Sequence, residues 1–378
     1  MKYFLIAGEA SGDLHGSTLV RYLMQVDKKA VIECWGGDRM EAEGAKLLKH
    51  YRDHAIMGFW EVLVNINRMY RNLKLCKEQI LAFKPDVVIL IDYPGFNLRI
   101  ARFLKENRVR SYYYISPKVW AWKESRVEII KRFIDRMYII FPFEVEFYRK
   151  HDFKAIYYGN PLVESVNLEM GSAMDPDRFR KVNQLDDRPV IALLAGSRQQ
   201  EIKLILPEMI RIKKYYPDYQ FVIAGISSVS AGIYKKIVGD EDIRIVFDQT
   251  FHLLSASQIA IVTSGTATLE TALAGIPQIV CYKASPITYH LARRLVKLRF
   301  ISLVNLIMDR EIVRELIQHD LNEKNLVSEI NILLPGGWKR DMMLNNYKQL
   351  SSFLTGDGTS GKIAYDIYQT LIMVNNVN

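Results

Sequence analysis

Short apolar runs alternate with segments of helical period through most of the chain. In the first half, runs rich in β-branched and aromatic residues lie at 3–7, 31–35, 87–92, 111–115 and 137–141. Between them, as in 61–83, apolar residues recur every three or four positions, which is typical of an amphipathic helix. Continuous apolar strands separated by helices predict an α/β fold with a parallel sheet covered on both faces.

The same alternation begins again in the second half. Its apolar runs lie at 190–195, 220–224, 243–247, 259–263 and 278–282. The intervening stretch 164–188 is polar and holds no strand-like run, which is typical of an interdomain connection. We therefore expect a Rossmann-like domain at 1–165, a linker at 166–188, a second Rossmann-like domain at 189–340, and terminal helices at 341–378. Whether these helices dock back on the first domain is left open. Two doubly wound domains place the default ligand site in a cleft between them.

Composition narrows the class of protein. A length of 378 residues suits two domains, and 49% hydrophobic with 25% charged residues is typical of a soluble globular protein. No run approaches the ~20 uncharged apolar residues that cross a bilayer, and the N-terminal run leads straight into Glu9 and Asp13, as a strand does and a signal peptide does not. Three widely spaced cysteines indicate a reducing cytosol without a disulfide framework.

A net charge of +9 indicates an anionic partner. The basic residues are scattered and form no recognisable nucleic-acid-binding module, which disfavours nucleic acid. Segments 58–75 and 286–300 are basic and amphipathic, like helices that lie on anionic lipid. Taken alone, such a pattern more often marks core contact with solvated lysines and arginines.

One turn in the second half has the features of an anion site. An apolar strand ends at Ser264-Gly265-Thr266, and a helix begins there. Free backbone N–H groups at a helix start favour phosphate, and glycine lets the anion approach closely. Glu270, one turn into the helix, is placed to accept hydrogen bonds from a ribose. The alternative is an N-capped turn, because Ser and Thr are good caps; the residues alone do not separate the two.

Two other polar side chains follow apolar runs. Arg198 comes directly after Gly196-Ser197, where it can clamp a diphosphate; the alternative is a surface arginine opposite Glu201. Asp92 ends the run VVILID, where a carboxylate opens into a crevice and suits a general base; the alternative is a helix N-cap. The second half thus contains two turns that are suited to bind an anion, which favours nucleotide binding there.

Several familiar motifs are absent or defective. GDGTSGKI at 356–363 has Ile363 where a P-loop needs Ser or Thr. No G-x-G-x-x-G follows the first strand, and the histidines show no paired metal-ligand spacing. Trp120 and Trp122 lie two apart beside Lys118, and suit a wall for sugar or acyl chains and a hydrophobic seam equally well. The glycine-flanked stretch LIAGEASGDLHG at 5–16 suits a phosphate loop, a substrate loop or a tight turn.

Six stretches together carry a family resemblance. They are AGEASGDLHG (7–16), VVILIDYPGFN (87–97), YYISPKVWAWKESRV (113–127), LLAGSRQQEI (193–202), SGTATLETALAGIPQIVCYK (264–283) and SLVNLIMDREIVREL (302–316). In this order they closely resemble the lipid-A-disaccharide synthase family, bacterial glycosyltransferases, from the first strand to the last third of the chain.

The resemblance implies a GT-B fold, with two Rossmann-like domains facing across a cleft. It implies transfer of 2,3-diacylglucosamine from its UDP donor to 2,3-diacylglucosamine 1-phosphate (lipid X), giving a β-1,6 disaccharide and UDP in lipid A biosynthesis. The transfer is inverting and needs no metal or other cofactor. Because both substrates carry acyl chains, the resemblance also implies a cytoplasmic protein that is peripheral on the inner membrane; a homodimer is left open.

Site residues follow from the motif match. Asp92 is the implied base and Arg198 the diphosphate-side cation. The implied UDP-sugar site consists of Ser264, Gly265, Thr266, Glu270 and Asn305. The implied substrate loop consists of Gly8, Glu9, Ser11 and Gly12, whose glycines we expect to let the sugars approach. The implied membrane and acyl contacts are Phe59, Trp60, Met69, Arg293, Arg294 and Lys297.

Three positions depart from the family pattern: Gly95 replaces a common Asp, Ala195 a common Pro, and Asn160 a His. They affect the expected substrate positioning and leave Asp92 and Arg198 in place. Two other functions compete with this interpretation. Another GT-B UDP-sugar enzyme, a UDP-N-acetylglucosamine transferase or 2-epimerase, is disfavoured by GEASGD and ISPKVWAWK. A non-enzymatic nucleotide-binding protein that docks on membranes has no need of Asp92.

Overall fold

A computed structural model describes residues 1–53, 66–122, 124–286, 289, 298–354 and 358–375. The chain divides into two compact units. The first comprises Met1–Pro161 and Thr355–Asn378, and the second comprises Leu162–Leu354. Each unit contains one parallel β-sheet with helices packed against it, so the predicted α/β, doubly wound architecture is confirmed.

The first unit has a seven-stranded sheet in the order β3-β2-β1-β4-β5-β6-β7. Its strands are β1 Lys2–Ala7, β2 Val31–Gly36, β3 Lys46–His50, β4 Val87–Ile91, β5 Ser111–Tyr114, β6 Arg136–Ile139 and β7 Ala155–Tyr157. In register, Leu5 of β1 lies between Cys34 of β2 and Ile89 of β4. All five residues of β4 are buried, because helices cover both faces of the central strands.

Helices of the first unit divide between the two faces of its sheet. They are α1 Ala10–Val26, α2 Asp38–Ala42, α3 Ile66–Phe83, α4 Pro94–Glu106, α5 Val119–Trp122, α6 Val127–Phe133, α7 Pro142–Lys150 and, at the C-terminus, α17 Thr359–Asn375. Apolar side chains of α1 and α17 share one core cluster with β1 and β4. Apolar side chains of α3, α4, α6 and α7 form the cluster on the other face.

The C-terminal helix α17 is held to the first unit by charge as well as by apolar packing. Ile363, Ile367 and Leu371 are buried in the cluster with α1. The Asp366 carboxylate accepts a hydrogen bond from Arg136 Nη2 at 2.7 Å and one from Tyr138 Oη at 2.7 Å. The end of the chain therefore completes the core of the first unit.

The second unit has a six-stranded parallel sheet in the order β10-β9-β8-β11-β12-β13. Its strands are β8 Val190–Leu194, β9 Gln220–Gly225, β10 Arg244–Phe247, β11 Ser257–Thr263, β12 Gln278–Tyr282 and β13 Arg314–Ile317. Its helices are α8 Pro161–Gly171, α9 Pro176–Val182, α10 Gln199–Ile210, α11 Ala231–Val238, α12 Thr250–Ser255, α13 Thr266–Leu273, α14 Leu303–Met308, α15 Glu323–Leu333 and α16 Arg340–Leu354.

The stretch expected to link the domains is largely helical. It contains most of α8 and all of α9, and the Asp175 carboxylate caps α9 by accepting from the backbone of Asp177 and Arg178. Phe179 of α9 is fully buried in the core of the second unit. The terminal helices also divide: α16 buries Tyr347 and Leu350 within the second unit, whereas α17 belongs to the first.

Candidate active site

The expected catalytic and nucleotide-binding side chains follow strands at which the strand order reverses. In the first sheet, β1 and β4 are neighbours although two strands separate them in sequence, and β8 and β11 stand in the same relation in the second. Open α/β sheets bind their ligands at such switch points. Glu9 and Asp92 follow β1 and β4, and Arg198 and Ser264 follow β8 and β11.

The turns after β1 and β4 pack directly on each other. A Cβ added to Gly8 would lie 2.3 Å from Cγ of the Tyr93 ring, so only glycine fits under that ring. The buried Asn97 amide donates to the carbonyl oxygens of Asp92 at 2.8 Å and Ile91 at 3.2 Å, and more weakly to that of Ile6 at 3.4 Å. The GEASGD and DYPGFN motifs therefore form one structure within the first unit.

Asp92 lies in a strained turn that is held by several hydrogen bonds. Asp92 and Tyr93 both adopt left-handed backbone conformations, with φ of 43° and 50°, which cost free energy for residues with a Cβ. The Asp92 N–H donates to the Tyr114 carbonyl at 3.1 Å, and the Asp92 carbonyl accepts from Tyr113 Oη at 2.5 Å. Helix α4 begins after Tyr93 without a side-chain cap, so the N-cap alternative for Asp92 is wrong.

The surroundings of Asp92 bring the pKa of its carboxyl close to neutral pH. The side chain is half-buried. The pKa of Asp92 is raised to about 6, chiefly by burial; Lys118 and a hydrogen bond from the Tyr93 backbone lower this pKa, and the charge of Glu9 raises it. A base is most effective when its pKa lies near the working pH, so this carboxyl is suited to take a proton from a substrate hydroxyl.

The glycines of the opening loop are needed by the fold, and their expected contact with the sugars stays a prediction. Gly8 makes room for the Tyr93 ring, and a Cβ on Gly12 would lie 3.1 Å from the Ala7 Cβ. Asp13 is buried, and its carboxylate accepts from the backbone N–H groups of Gly37 at 2.8 Å and Met40 at 3.1 Å. Two of the loop's polar side chains stay accessible, the half-buried Glu9 and the exposed Ser11.

The turn after β11 is open and uncapped. Ser264 Oγ donates to the Ile301 carbonyl at 2.9 Å, and no side chain caps helix α13. The N-capped alternative for this turn is therefore wrong. Gly265 is extended, with φ of 163°, and a Cβ there would meet no atom of the described residues within 4 Å. Nothing in the described fold requires this glycine, and the start of α13 is accessible to an anion.

Glu270 lies one turn into α13 and is half-buried. Its pKa is raised to about 7, chiefly by burial and also by the charge of Glu169. Within the described part of the chain, no donor is hydrogen-bonded to this carboxylate. A buried acceptor without a donor is costly, so the carboxylate is suited to accept from the hydroxyl groups of a ligand.

Arg198 precedes α10 and is only loosely held. Its side chain is 53% exposed, and Nη1 lies 3.8 Å from Glu201 Oε1. Exposed pairs at this distance contribute little, so the guanidinium keeps its donors for a ligand. Gly196 has φ of 112°, and a Cβ there would lie 2.6 Å from Glu201 Oε2. Glycine at this position is therefore needed for the turn that presents Arg198.

Asn305 has no side-chain atom left for a ligand. Its amide donates to the Val313 carbonyl at 2.8 Å and to Glu315 Oε1 at 2.9 Å. Its Oδ1 accepts from the N–H groups of Ile312 at 2.7 Å and Val313 at 3.0 Å. Glu315 also accepts from the backbone N–H of Ile301, the residue whose carbonyl receives Ser264 Oγ. Asn305 thus supports the open turn from behind.

Sequence reasoning missed a buried carboxylate at the start of α7. Glu144 accepts from Ser116 Oγ, from Trp120 Nε1 at 3.1 Å and from the Phe141 N–H at 3.0 Å. The sequence FPFE at 141–144 contains a recognisable capping signal, because Glu144 is the third residue of a helix that begins with Pro142. Trp120 is half-buried and packs edge-on against Phe143, with 4.9 Å between ring centroids. Trp120, one of the two tryptophans that suit a substrate wall or a hydrophobic seam, thus packs within the first unit.

Most of the expected membrane contacts lie outside the described residues, namely Phe59, Trp60, Arg293, Arg294 and Lys297. Met69 is described, and it packs half-buried against the core of the first unit. Across the described ranges, no helix has both the length and the apolarity to cross a membrane. The same ranges contain no group of three His, Cys, Asp or Glu side chains suited to hold a metal ion.

Comparison with solved structures supports the GT-B fold. A UDP-N-acetylglucosamine 2-epimerase from Neisseria meningitidis, bound to UDP-N-acetylglucosamine, matches with a TM-score of 0.69 and 14% identity over 99% of this chain and 100% of that one. A putative epimerase of the same kind from Listeria monocytogenes matches with a TM-score of 0.65 over 96% and 94% of the two chains, also at 14% identity. At this identity the likeness establishes the fold alone.

Comparison with protein families is more specific. The family model described as lipid-A-disaccharide synthetase matches residues 3–354. Lipid-A-disaccharide synthases from Geobacter sulfurreducens and Myxococcus xanthus are each 36% identical to this chain. The first match covers 87% of this chain and 86% of the relative, and the second covers 98% and 97%. The chain therefore belongs to the lipid-A-disaccharide synthase family.

Proposed function

We propose that this protein transfers 2,3-diacylglucosamine from its UDP donor to 2,3-diacylglucosamine 1-phosphate, forming the β-1,6 disaccharide 1-phosphate and UDP. The observation that carries the proposal is Asp92, a carboxyl with a pKa near 6 in a strained turn at the switch point of the first sheet. Membership of the family supplies the reaction, and Asp92 supplies the base that the reaction needs.

In the proposed reaction, Asp92 takes the proton of the acceptor 6-hydroxyl. The oxygen attacks the anomeric carbon of the donor from the face opposite the diphosphate. The new C–O bond forms as the bond to the diphosphate breaks, and UDP leaves with the electron pair, which inverts the configuration. Arg198 stabilises the charge that develops on the departing diphosphate. We expect no metal to take part.

The second unit is the proposed nucleotide site. Backbone N–H groups at Gly265 and Thr266, with the dipole of α13 behind them, suit the diphosphate. Ser264 forms the edge of the same turn, and Asn305 holds that turn through the Ile301–Glu315 contact. Glu270 is placed for the ribose, because its carboxylate is half-buried and lacks a donor among the described residues.

The first unit is the proposed acceptor site. Glu9 lies close enough to Asp92 to raise its pKa, and the exposed Ser11 follows two residues later at the start of α1. Glu9 is therefore near the base, and Ser11 lies at the same edge of the sheet, where an acceptor hydroxyl must be presented.

A product assay tests the proposed function. Purified protein is incubated with UDP-diacylglucosamine and radiolabelled diacylglucosamine 1-phosphate, with and without EDTA. We expect disaccharide and UDP in equal amounts, unchanged by EDTA. Folded protein that binds UDP but forms no disaccharide would contradict the transferase. Conversion of the donor sugar without an acceptor would instead indicate an epimerase.

The acylated substrates lead us to propose that the protein works at the cytoplasmic face of the inner membrane. The basic residues Arg293, Arg294 and Lys297 and the aromatic pair Phe59 and Trp60 are the proposed contacts, on the strength of their sequence pattern. Changing the three basic residues to Glu is expected to weaken sedimentation with anionic liposomes. Unaltered sedimentation would show that these side chains do not contact lipid.

A further inference from the structure

Glu144 is a buried ionisable group for which the proposed reaction has no direct use. It lies in the first turn of α7 and is 1% exposed. Its Oε1 accepts from Ser116 Oγ and from Trp120 Nε1 at 3.1 Å, and its Oε2 accepts from the N–H groups of Ile140 at 3.2 Å and Phe141 at 3.0 Å. Burial raises the pKa of Glu144 to about 7, and the four donors oppose that rise because they favour the ionised carboxylate.

Two of these donors lie on either side of Lys118. The segment Ser116–Trp120 leaves the end of β5 through Ile115, whose φ of 63° is strained for a β-branched residue. Ser116 is buried and Trp120 is half-buried, whereas Lys118 between them is exposed. Because both ends of this short segment are hydrogen-bonded to one carboxylate, the position of Lys118 depends on Glu144.

Lys118 and Asp92 follow neighbouring strands at the same edge of the first sheet. Strands β4 and β5 are paired at Ile91 and Tyr114, and the Asp92 N–H donates to the Tyr114 carbonyl at 3.1 Å. Lys118 follows Tyr114 by four residues, and within the described chain no carboxylate pairs with it at 4 Å or less. Its charge lowers the pKa of Asp92. Among the residues that the structure describes, the titratable groups that face Asp92 are Lys118, Glu9, Tyr93 and Tyr113.

We propose that Glu144 is a positioning residue, which holds the Ser116–Trp120 segment and thereby keeps Lys118 beside Asp92. The inference rests on the proposed role of Asp92 as general base. Lys118 is the only cation among the four facing groups, so its displacement leaves only the hydrogen bond from the Tyr93 backbone to oppose the effects of burial and Glu9 on the pKa of Asp92. Asp92 then stays protonated to higher pH and ceases to accept the hydroxyl proton.

Glu144→Gln tests this inference, because glutamine keeps the size and loses the second acceptor oxygen. Glu146→Gln is the matched control: it makes the same change on the same helix, at a half-exposed side chain that pairs with Arg149 at 2.7 Å. The readout is the acidic limb of kcat/KM for the acceptor against pH. We expect Glu144→Gln and Lys118→Met each to move that limb upward by about 1 pH unit, and Glu146→Gln to leave it in place.

The double variant gives the sharper result. If Glu144 acts through Lys118, combining Glu144→Gln with Lys118→Met moves the limb no further than Lys118→Met alone. A folded Glu144→Gln variant with the wild-type limb would overturn the inference, even if its kcat were lower, because a purely structural role does not change the pKa of Asp92. An unmoved limb in Lys118→Met would overturn it as well.

Two further measurements keep the inference testable if Glu144→Gln does not fold or the wild type shows no transfer. Ser116→Ala and Trp120→Phe each remove one donor to Glu144, and each is expected to move the limb partway. The Asp92 carboxyl can also be titrated directly by ¹³C NMR, with Asp92→Asn to assign its signal. This titration is independent of turnover. The inference would be refuted if the pKa of Asp92 in Glu144→Gln, or in both Ser116→Ala and Trp120→Phe, equalled that of the wild type.

Discussion

The switch-point turns of the two units look alike in sequence and differ in how they are built. After β1 and β4, glycines and polar groups are used internally: Gly8 admits the Tyr93 ring, and Asn97 donates to the Asp92 carbonyl. After β11, a Cβ on Gly265 would meet no atom of the described residues within 4 Å, and Gly265, the N-cap of α13, provides no side-chain cap. A closed turn fixes a reacting side chain, whereas an open one leaves backbone donors for a ligand.

The difference shows why a glycine after a strand is ambiguous in sequence. Gly8 and Gly265 both follow a buried strand and precede a helix. At Gly8 the space that a Cβ needs is filled by the protein's own side chain, and at Gly265 no described atom fills it. We conclude that the closed turn suits the base and the open turn suits the diphosphate. The following experiments test that division.

Asp92→Asn is expected to have the largest effect. The amide cannot accept the hydroxyl proton, so kcat should fall by about 10²- to 10⁴-fold. UDP affinity should stay within about twofold of the wild type, because the diphosphate is assigned to the other unit. Turnover by UDP release and UDP binding by calorimetry measure the two effects. A large loss of UDP affinity would place Asp92 in the nucleotide site.

The two glycines provide a matched pair. Gly265→Ala is expected to weaken UDP binding by about 10- to 100-fold, because the methyl group keeps the diphosphate from charge-assisted backbone hydrogen bonds, and to leave stability unchanged. Gly8→Ala is expected to lower the free energy of unfolding by about 1–3 kcal/mol through overpacking against Tyr93. Urea unfolding measures the stability of both variants, and titration with UDP measures their affinity. A loss of UDP affinity in Gly8→Ala and a loss of stability in Gly265→Ala would mean that the two turns have been assigned wrongly.

Glu270 provides a smaller, pH-dependent test. Its pKa of about 7 in the folded protein means that the carboxyl is mostly protonated at pH 6. Ligand hydroxyls favour the ionised form, so affinity for UDP-N-acetylglucosamine should rise between pH 6 and pH 8, by up to about 10-fold. The ligand's diphosphate keeps its charge over that range. Glu270→Gln should remove the rise, and a rise that persists in this variant would assign the titration to another group.

The same carboxyl also affects the stability of the free protein. The pKa of Glu270 is raised on folding from 4.5 to about 7, so the protonated form stabilises the fold at low pH and this contribution is lost as pH rises through 7. We therefore expect Glu270→Gln to melt at a higher temperature than the wild type at pH 8. The advantage should disappear near pH 4.5.

Sequence reasoning found the central strands and one edge strand, β10, and missed the other three edge strands. Runs at 3–7 and 87–92 correspond to β1 and β4, which are continuous apolar segments because both faces are covered. Strands β3, β7 and β13 had no such signal. Each lies at an edge of its sheet and is partly exposed, and β3, KLLKH, carries charged and polar residues.

The site was predicted at the level of motifs and less well at the level of contacts. Asp92 and the 264–270 turn were recognisable because polar groups follow directly after apolar runs. Asn305 is hydrogen-bonded to residues 312–315, which a loop separates from it. Glu144 is hydrogen-bonded to Ser116, from which whole elements separate it. Spacing along the chain does not show such contacts, because the fold brings the partners together.

Hydrogen–deuterium exchange with and without UDP tests the division between the two turns most directly. We expect UDP to slow exchange in peptides covering 193–202 and 264–273. Peptides covering 7–16 and 87–97 are predicted to exchange at the same rate with and without the nucleotide. Protection of 7–16 by UDP alone, with none at 264–273, would show that the opening loop binds the phosphates, and would contradict the account.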